Sequence, residues 1–111
     1  MMSLKKQPSQ RKKAEITQSL ASKYFDLEFD SEKGESFLDG LTHEISIKIK
    51  FLLDRDLQTL INIFYRIDVS EDSFNEVVHN SPPENVSDNL AKLVVERFIQ
   101  KAEFRMKWSE A

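Results

Sequence analysis

The stretch Leu53-Asp54-Arg55-Asp56-Leu57-Gln58-Thr59-Leu60-Ile61-Asn62-Ile63-Phe64-Tyr65-Arg66-Ile67 decides how this chain folds. Leu53, Leu57, Leu60, Ile61, Phe64 and Ile67 recur at helical spacing and trace one apolar face. Asp54 or Asp56 either caps a new helix or sits on the wet side of a longer one. Upstream, Ile45 to Phe51 alternates apolar and polar residues, which is a strand pattern. So does Phe25 to Asp30, and opposite charges on the two runs favour a hairpin of 25–30 with 45–51. However, Ile45, Ile49, Leu52 and Leu53 fit i, i+4, i+7, i+8 equally well, and a lone two-stranded ribbon is marginal. The reading adopted is a helix over 42–53 with Thr42 as its N-cap, and the hairpin is the alternative.

Downstream, Ser70-Glu71-Asp72 reads as a cap with acids in the first turn, where the helix dipole favours them. Phe74, Val77 and Val78 are the core residues of that short helix, and His79 lies in its last turn. Ser81-Pro82-Pro83-Glu84 reads as a capping box with proline at the first helical position. Val86, Leu90, Leu93, Val94 and Phe98 form the main face of the last helix. Val95, Ile99 and Ala102 widen its apolar arc, which implies two neighbours: two helices of its own fold, or one helix and a second subunit. Near the N-terminus, Ile16, Leu20 and Tyr24, with Ala21 and Phe25 beside them, predict a helix from Ser9 that needs something to pack on. The expected fold is all-α. Three or four helices form a small bundle over 41–111, preceded by a basic arm, an N-terminal helix and an acidic linker over 1–40; the alternative is α+β with the short hairpin.

The string Phe64-Tyr65-Arg66-Ile67-Asp68-Val69, with Glu71 beyond it, resembles an "LYRIDV-E" signature of small bacterial helical proteins. Their last helix is similar to Leu93-Val94-Val95-Glu96-Arg97-Phe98-Ile99-Gln100-Lys101. The resemblance covers roughly 41–105. It implies a helix over 42–53 and a bacterial cytoplasmic setting, and it carries no activity.

Size and composition set the bounds. With 111 residues, 40% apolar and 32% charged, the chain makes one ordinary domain that buries roughly two thirds of its unfolded surface. Two glycines and three prolines argue against a turn-rich β fold. The absence of cysteine excludes disulfides and thiolate metal sites. No apolar run approaches the ~18 residues of a membrane span, and no signal-peptide core is present. The expected location is the cytoplasm, away from membranes. The net charge of −3 conceals an asymmetry: Lys5, Lys6, Arg11, Lys12 and Lys13 precede the first acid, Glu15. By contrast, Asp26 to Asp39 holds six acids and one base.

No motif specifies a reaction, a metal, a cofactor or a small-molecule substrate. His43-Glu44 lacks the second histidine of a zinc motif, and His79 stands alone. Asp54 and Asp56, two apart, point to different sides of a helix. Nothing resembles a nucleophile elbow. The expectation is therefore a non-enzyme with no catalytic residue. Arg97 and Lys101 fall inside an apolar arc, where a charge must be paired or must snorkel. Asp68 reads as similarly placed, so an Arg97–Asp68 ion pair is one expectation. The other is an anion or partner site from Arg97, Lys101 and Arg105, joined by Arg66 if the fold brings it near. Phe104 and Trp108 are candidate interface anchors. The favoured function is a protein-interaction or assembly module. It would form a homodimer through surplus apolar surface on the last helix and the 9–25 stripe. The alternative is nucleic-acid binding through the basic arm and the Arg97/Lys101/Arg105 stripe.

Overall fold

The structure, a computed structural model, describes residues 8–27 and 37–110, and within them the side chains of 12–27 and 37–107. All regular structure there is helical: α1 Pro8–Phe25, α2 Phe37–Arg55, α3 Leu57–Ile67, α4 Glu71–Asn80 and α5 Val86–Glu110, with a 3₁₀ turn at Pro83–Asn85 before α5. The fold is an all-α bundle built around α5, which packs most extensively against α2 and α1. At 1.5 Å per residue, the 25 residues of α5 reach about 37 Å, long enough to touch every other helix.

Ile45 to Phe51 lies wholly inside α2, so the hairpin alternative is overturned. The helix wins because it sends Leu41, Ile45 and Ile49 to one side, where all three are fully buried. A strand would bury only one row of a ribbon. The helix also starts earlier than the expected residue 42, with Phe37 already in the core. Thr42 is therefore interior rather than a cap, and its hydroxyl donates to the Leu38 carbonyl at 2.7 Å. The division drawn at residue 40 falls within α2, and α1 adds Leu20, Ala21 and Phe25 to the same core as Leu41, Leu60, Leu90 and Phe98.

Asp56 is the break between α2 and α3. Its carboxylate accepts from the Thr59 amide at 3.2 Å and from the Thr59 hydroxyl at 2.6 Å. Those bonds, the hydroxyl's first and the amide's second, hold its carboxyl below its ordinary 3.8. A depressed carboxyl stabilises the fold above the unfolded value and loses that contribution as pH falls through the folded value. Thermal melts should therefore show an Asp56→Asn variant less acid-sensitive than the parent below pH 3.8. Parallel curves for the two would contradict this role.

α3 ends in a Schellman motif. Asp68 takes the left-handed region at φ 71°, ψ 38°. Its amide donates to the Tyr65 carbonyl and that of Val69 to the Phe64 carbonyl, both at 3.1 Å. Ser70 then caps α4 by accepting from the Ser73 amide at 3.0 Å. Phe74 of α4 meets Phe64 edge-on, with ring centroids 5.0 Å apart. The capping box at Ser81–Glu84 does not form. Ser81 closes α4 instead, its amide bonded to the Val77 carbonyl and its hydroxyl accepting from Asn89. The physical reason is the proline pair: a residue before proline is pushed to extended backbone, and Ser81 and Pro82 both lie there, at ψ 145°. Pro83 does open the turn that leads into α5.

One polar pin joins α2 to α5. The Ser46 hydroxyl, buried, donates to Asp88 at 2.5 Å and lies 3.3 Å from the Ser87 hydroxyl. No buried side-chain polar atom among the described residues lacks a partner.

Candidate functional site

The two surfaces expected to join subunits cover each other within one chain. Leu20, Ala21 and Phe25 of α1 are buried, as are Val95 and Ala102, which widen the α5 arc. Tyr24 stacks on Phe98 at 6.0 Å and Phe25 meets it edge-on at 6.4 Å. The breadth of the α5 arc thus reflects neighbours in its own fold.

The uncovered apolar surface lies elsewhere. On α3, Leu57, Ile61 and Tyr65 form an i, i+4, i+8 row that is 49%, 41% and 83% exposed. It flanks the buried row of Leu60, Ile63, Phe64 and Ile67. The sequence pattern placed Leu57 and Ile61 in the core because both fall on the rim of the apolar arc. Burial ends at that rim because only one side of a short surface helix meets the core. On α2, Ile47 and Phe51 are exposed one turn apart, away from the buried row, and the Arg55 guanidinium sits 5.1 Å from the Phe51 ring centre. The apolar spacing of the sequence marks neither row as exposed. The signal available for α2 was the second apolar set, Ile47 and Phe51, left over once Ile45 and Ile49 are assigned inward.

The basic residues divide into two groups. Arg97 is occupied as a strut between α5 and the end of α3. Its Nε donates to the Ile67 carbonyl at 3.0 Å, Nη1 to Gln100 at 3.2 Å and Nη2 to Asp68 at 3.4 Å. The Arg97–Asp68 ion pair is therefore present. Asp68 itself is 83% exposed and sits just past the helix rather than inside an apolar arc. Lys101 is half-buried, while Arg105 and Arg66 are exposed. Lys13 reaches across to Glu103 at 3.2 Å, which lays the first turns of α1 along the last turns of α5. Lys12 is exposed beside it. Lys5 and Lys6 lie outside the described residues, as do the side chains of Arg11 and Trp108. Phe104 is 62% exposed.

His43, His79 and Asp54 are exposed. Among the described residues no three histidine or carboxylate side chains come together as a metal site, and no helix is long and apolar enough to cross a membrane. Set against family models, curated proteins and solved structures, the chain gives no match.

Proposed function

We propose that this chain is a non-catalytic, cytoplasmic assembly module that pairs with a second copy of itself by packing helix on helix. The observation that supports the reading is the Leu57–Ile61–Tyr65 row on α3. Aromatic and aliphatic side chains presented together on an ordered helix are costly to leave in water, and they are what an interface core is made of. Tyr is well suited to such a place, with an apolar ring and a hydroxyl that tolerates the rim. Kinship with the bacterial helical proteins that share the string at 64–71 forms part of the same proposal.

Light scattering at high micromolar concentration tests it. The expected result is a dimer, and Ile61→Lys shifts it toward monomer without loss of helical signal, because the position is already exposed. A strictly monomeric parent, or a dimer indifferent to Ile61→Lys, overturns the reading.

A further inference from the structure

The Leu57–Ile61–Tyr65 row does not by itself supply the area of a stable dimer. Scaled by their exposure, its three side chains offer on the order of 300 Å² of apolar surface per copy. Where roughly 57% of an interface is apolar, that makes about 500 Å² per partner, the size of a weak encounter; a standard interface takes about 800 Å². The missing area lies on α2. Ile47 and Phe51 are 52% and 53% exposed. They raise the apolar surface to on the order of 500 Å², and the interface to about 850–900 Å² per partner. The two sets adjoin. Asp56 is the one residue between α2 and α3. Its amide donates to the Leu52 carbonyl at 2.8 Å, and its carbonyl accepts from the Leu60 amide at 3.3 Å. Helical geometry thus runs up to Asp56, and the Cα atoms of Phe51 and Leu57 lie within about 12 Å whatever the angle of the joint.

We propose that a second copy of the chain covers α2 and α3 together, related by a two-fold axis at the Asp56 joint, so that α2 of each copy lies on α3 of the other. The spacing of the exposed residues is what such an axis requires. Ile47 and Tyr65 each stand nine residues from Asp56, and Phe51 and Ile61 each stand five. Ile47 of one copy therefore packs on Tyr65 of the other, and Phe51 on Ile61, each contact made twice, as in any two-fold interface. Leu57 sits beside the axis. Asp54 and Gln58, both exposed and two residues either side of Asp56, meet at the centre as carboxylate and amide. Gln58 gives one N–H to Asn62 at 3.0 Å and keeps a second for the carboxylate. A polar pair at the middle of an apolar seam fixes its register. The inference rests on the self-association proposed above and adds the other half of its surface and its orientation.

The chain has no cysteine, so single introduced thiols report which positions meet. Phe51→Cys mixed with a size-tagged Ile61→Cys under mild oxidation should give a mixed disulfide dimer. Either variant alone should cross-link poorly, because its two thiols stand on opposite sides of the axis, beyond the reach of a disulfide. In a separate measurement, Phe51→Lys should raise the dimer dissociation constant about tenfold or more, as Ile61→Lys does. Both positions are exposed, and an unchanged circular dichroism spectrum separates lost pairing from lost fold. A dimer that tolerates Phe51→Lys but not Ile61→Lys overturns the inference and leaves pairing through α3 alone. So does Ile61→Cys that cross-links to itself, or a dimer in which the mixed disulfide does not form. A strictly monomeric parent overturns both the inference and the self-association beneath it.

Discussion

Replacing Phe98 by alanine should destabilise the protein by about 3–5 kcal/mol, the largest effect expected of any single substitution here. Phe98 is fully buried at the crossing of α1 and α5. Its ring is the surface on which Tyr24 and Phe25 pack, so alanine removes both aromatic pairs, each worth about 0.5–1.5 kcal/mol beyond area. It also leaves a cavity that α1 and α5 must collapse into or leave empty. Set against the ~5–15 kcal/mol that holds a typical domain together, this loss threatens the whole fold. It should fall first on α1, because an 18-residue helix is marginal without a packing partner. Urea denaturation gives the loss of stability, and amide exchange should show α1 losing protection before α2 and α5. Phe98→Leu should be milder, since it keeps most of the volume. A loss under about 1.5 kcal/mol for Phe98→Ala, small against the range for buried aromatics, would mean that α1 is not docked on α5 as described.

Where the sequence was legible, one local rule acted alone. α3 was readable from its apolar spacing, with Leu60, Phe64 and Ile67 on one buried face, whereas the choice between Asp54 and Asp56 as its cap rests on the bonds to Thr59. The string at 64–71 decodes residue by residue as a joint between helices. Phe64 and Ile67 are core, Asp68 is the left-handed cap, Val69 is partly buried against the core, Ser70 caps α4 and Glu71 begins it. That string therefore has a structural reading that requires no binding partner.

Where two rules competed, the sequence was less informative. Ile45 to Phe51 satisfies both the strand and the helix periods, and only burial of Leu41, Ile45 and Ile49 on one side decides between them. Ser81 was eligible both to end α4 and to cap α5, and the two prolines that follow it settled the matter. The rim of an apolar arc is the third case: Leu57 and Val95 look alike on a helical wheel, yet one is half exposed and the other buried in the core. Contacts between distant segments, such as Lys13 with Glu103, have no local signal at all. The Arg97–Asp68 pair is the exception among long-range contacts. It was legible because a charge inside an apolar arc demands a partner, although Asp68, read as lying in a similar arc, is 83% exposed just past α3.

That pair yields the second large effect. Arg97→Met keeps the apolar stem and the helix propensity while deleting all three donors. The bond from Nε to the Ile67 carbonyl matters most, since it satisfies a carbonyl at the end of α3 with a charged donor, and charged hydrogen bonds are worth about 1.5–3 kcal/mol. The Asp68 carboxylate contributes less: at 83% exposure it belongs with surface pairs worth about 0–1 kcal/mol. A loss of about 2–3 kcal/mol is therefore expected for Arg97→Met, and well under half of that for Asp68→Asn. The double-mutant cycle should return a coupling below about 1 kcal/mol. Asp68→Gly separates backbone from charge. At φ 71° a side chain carries a left-handed penalty of about 1 kcal/mol that glycine lacks. Glycine should thus offset the lost ion pair and leave stability close to that of the parent, while Asp68→Val, branched and left-handed, should be clearly destabilising. If the cycle instead returned a coupling as large as the whole Arg97 effect, the carboxylate would be the anchor and the carbonyl bond incidental, and the strut would have to be redrawn as an ion pair between α5 and the α3–α4 joint.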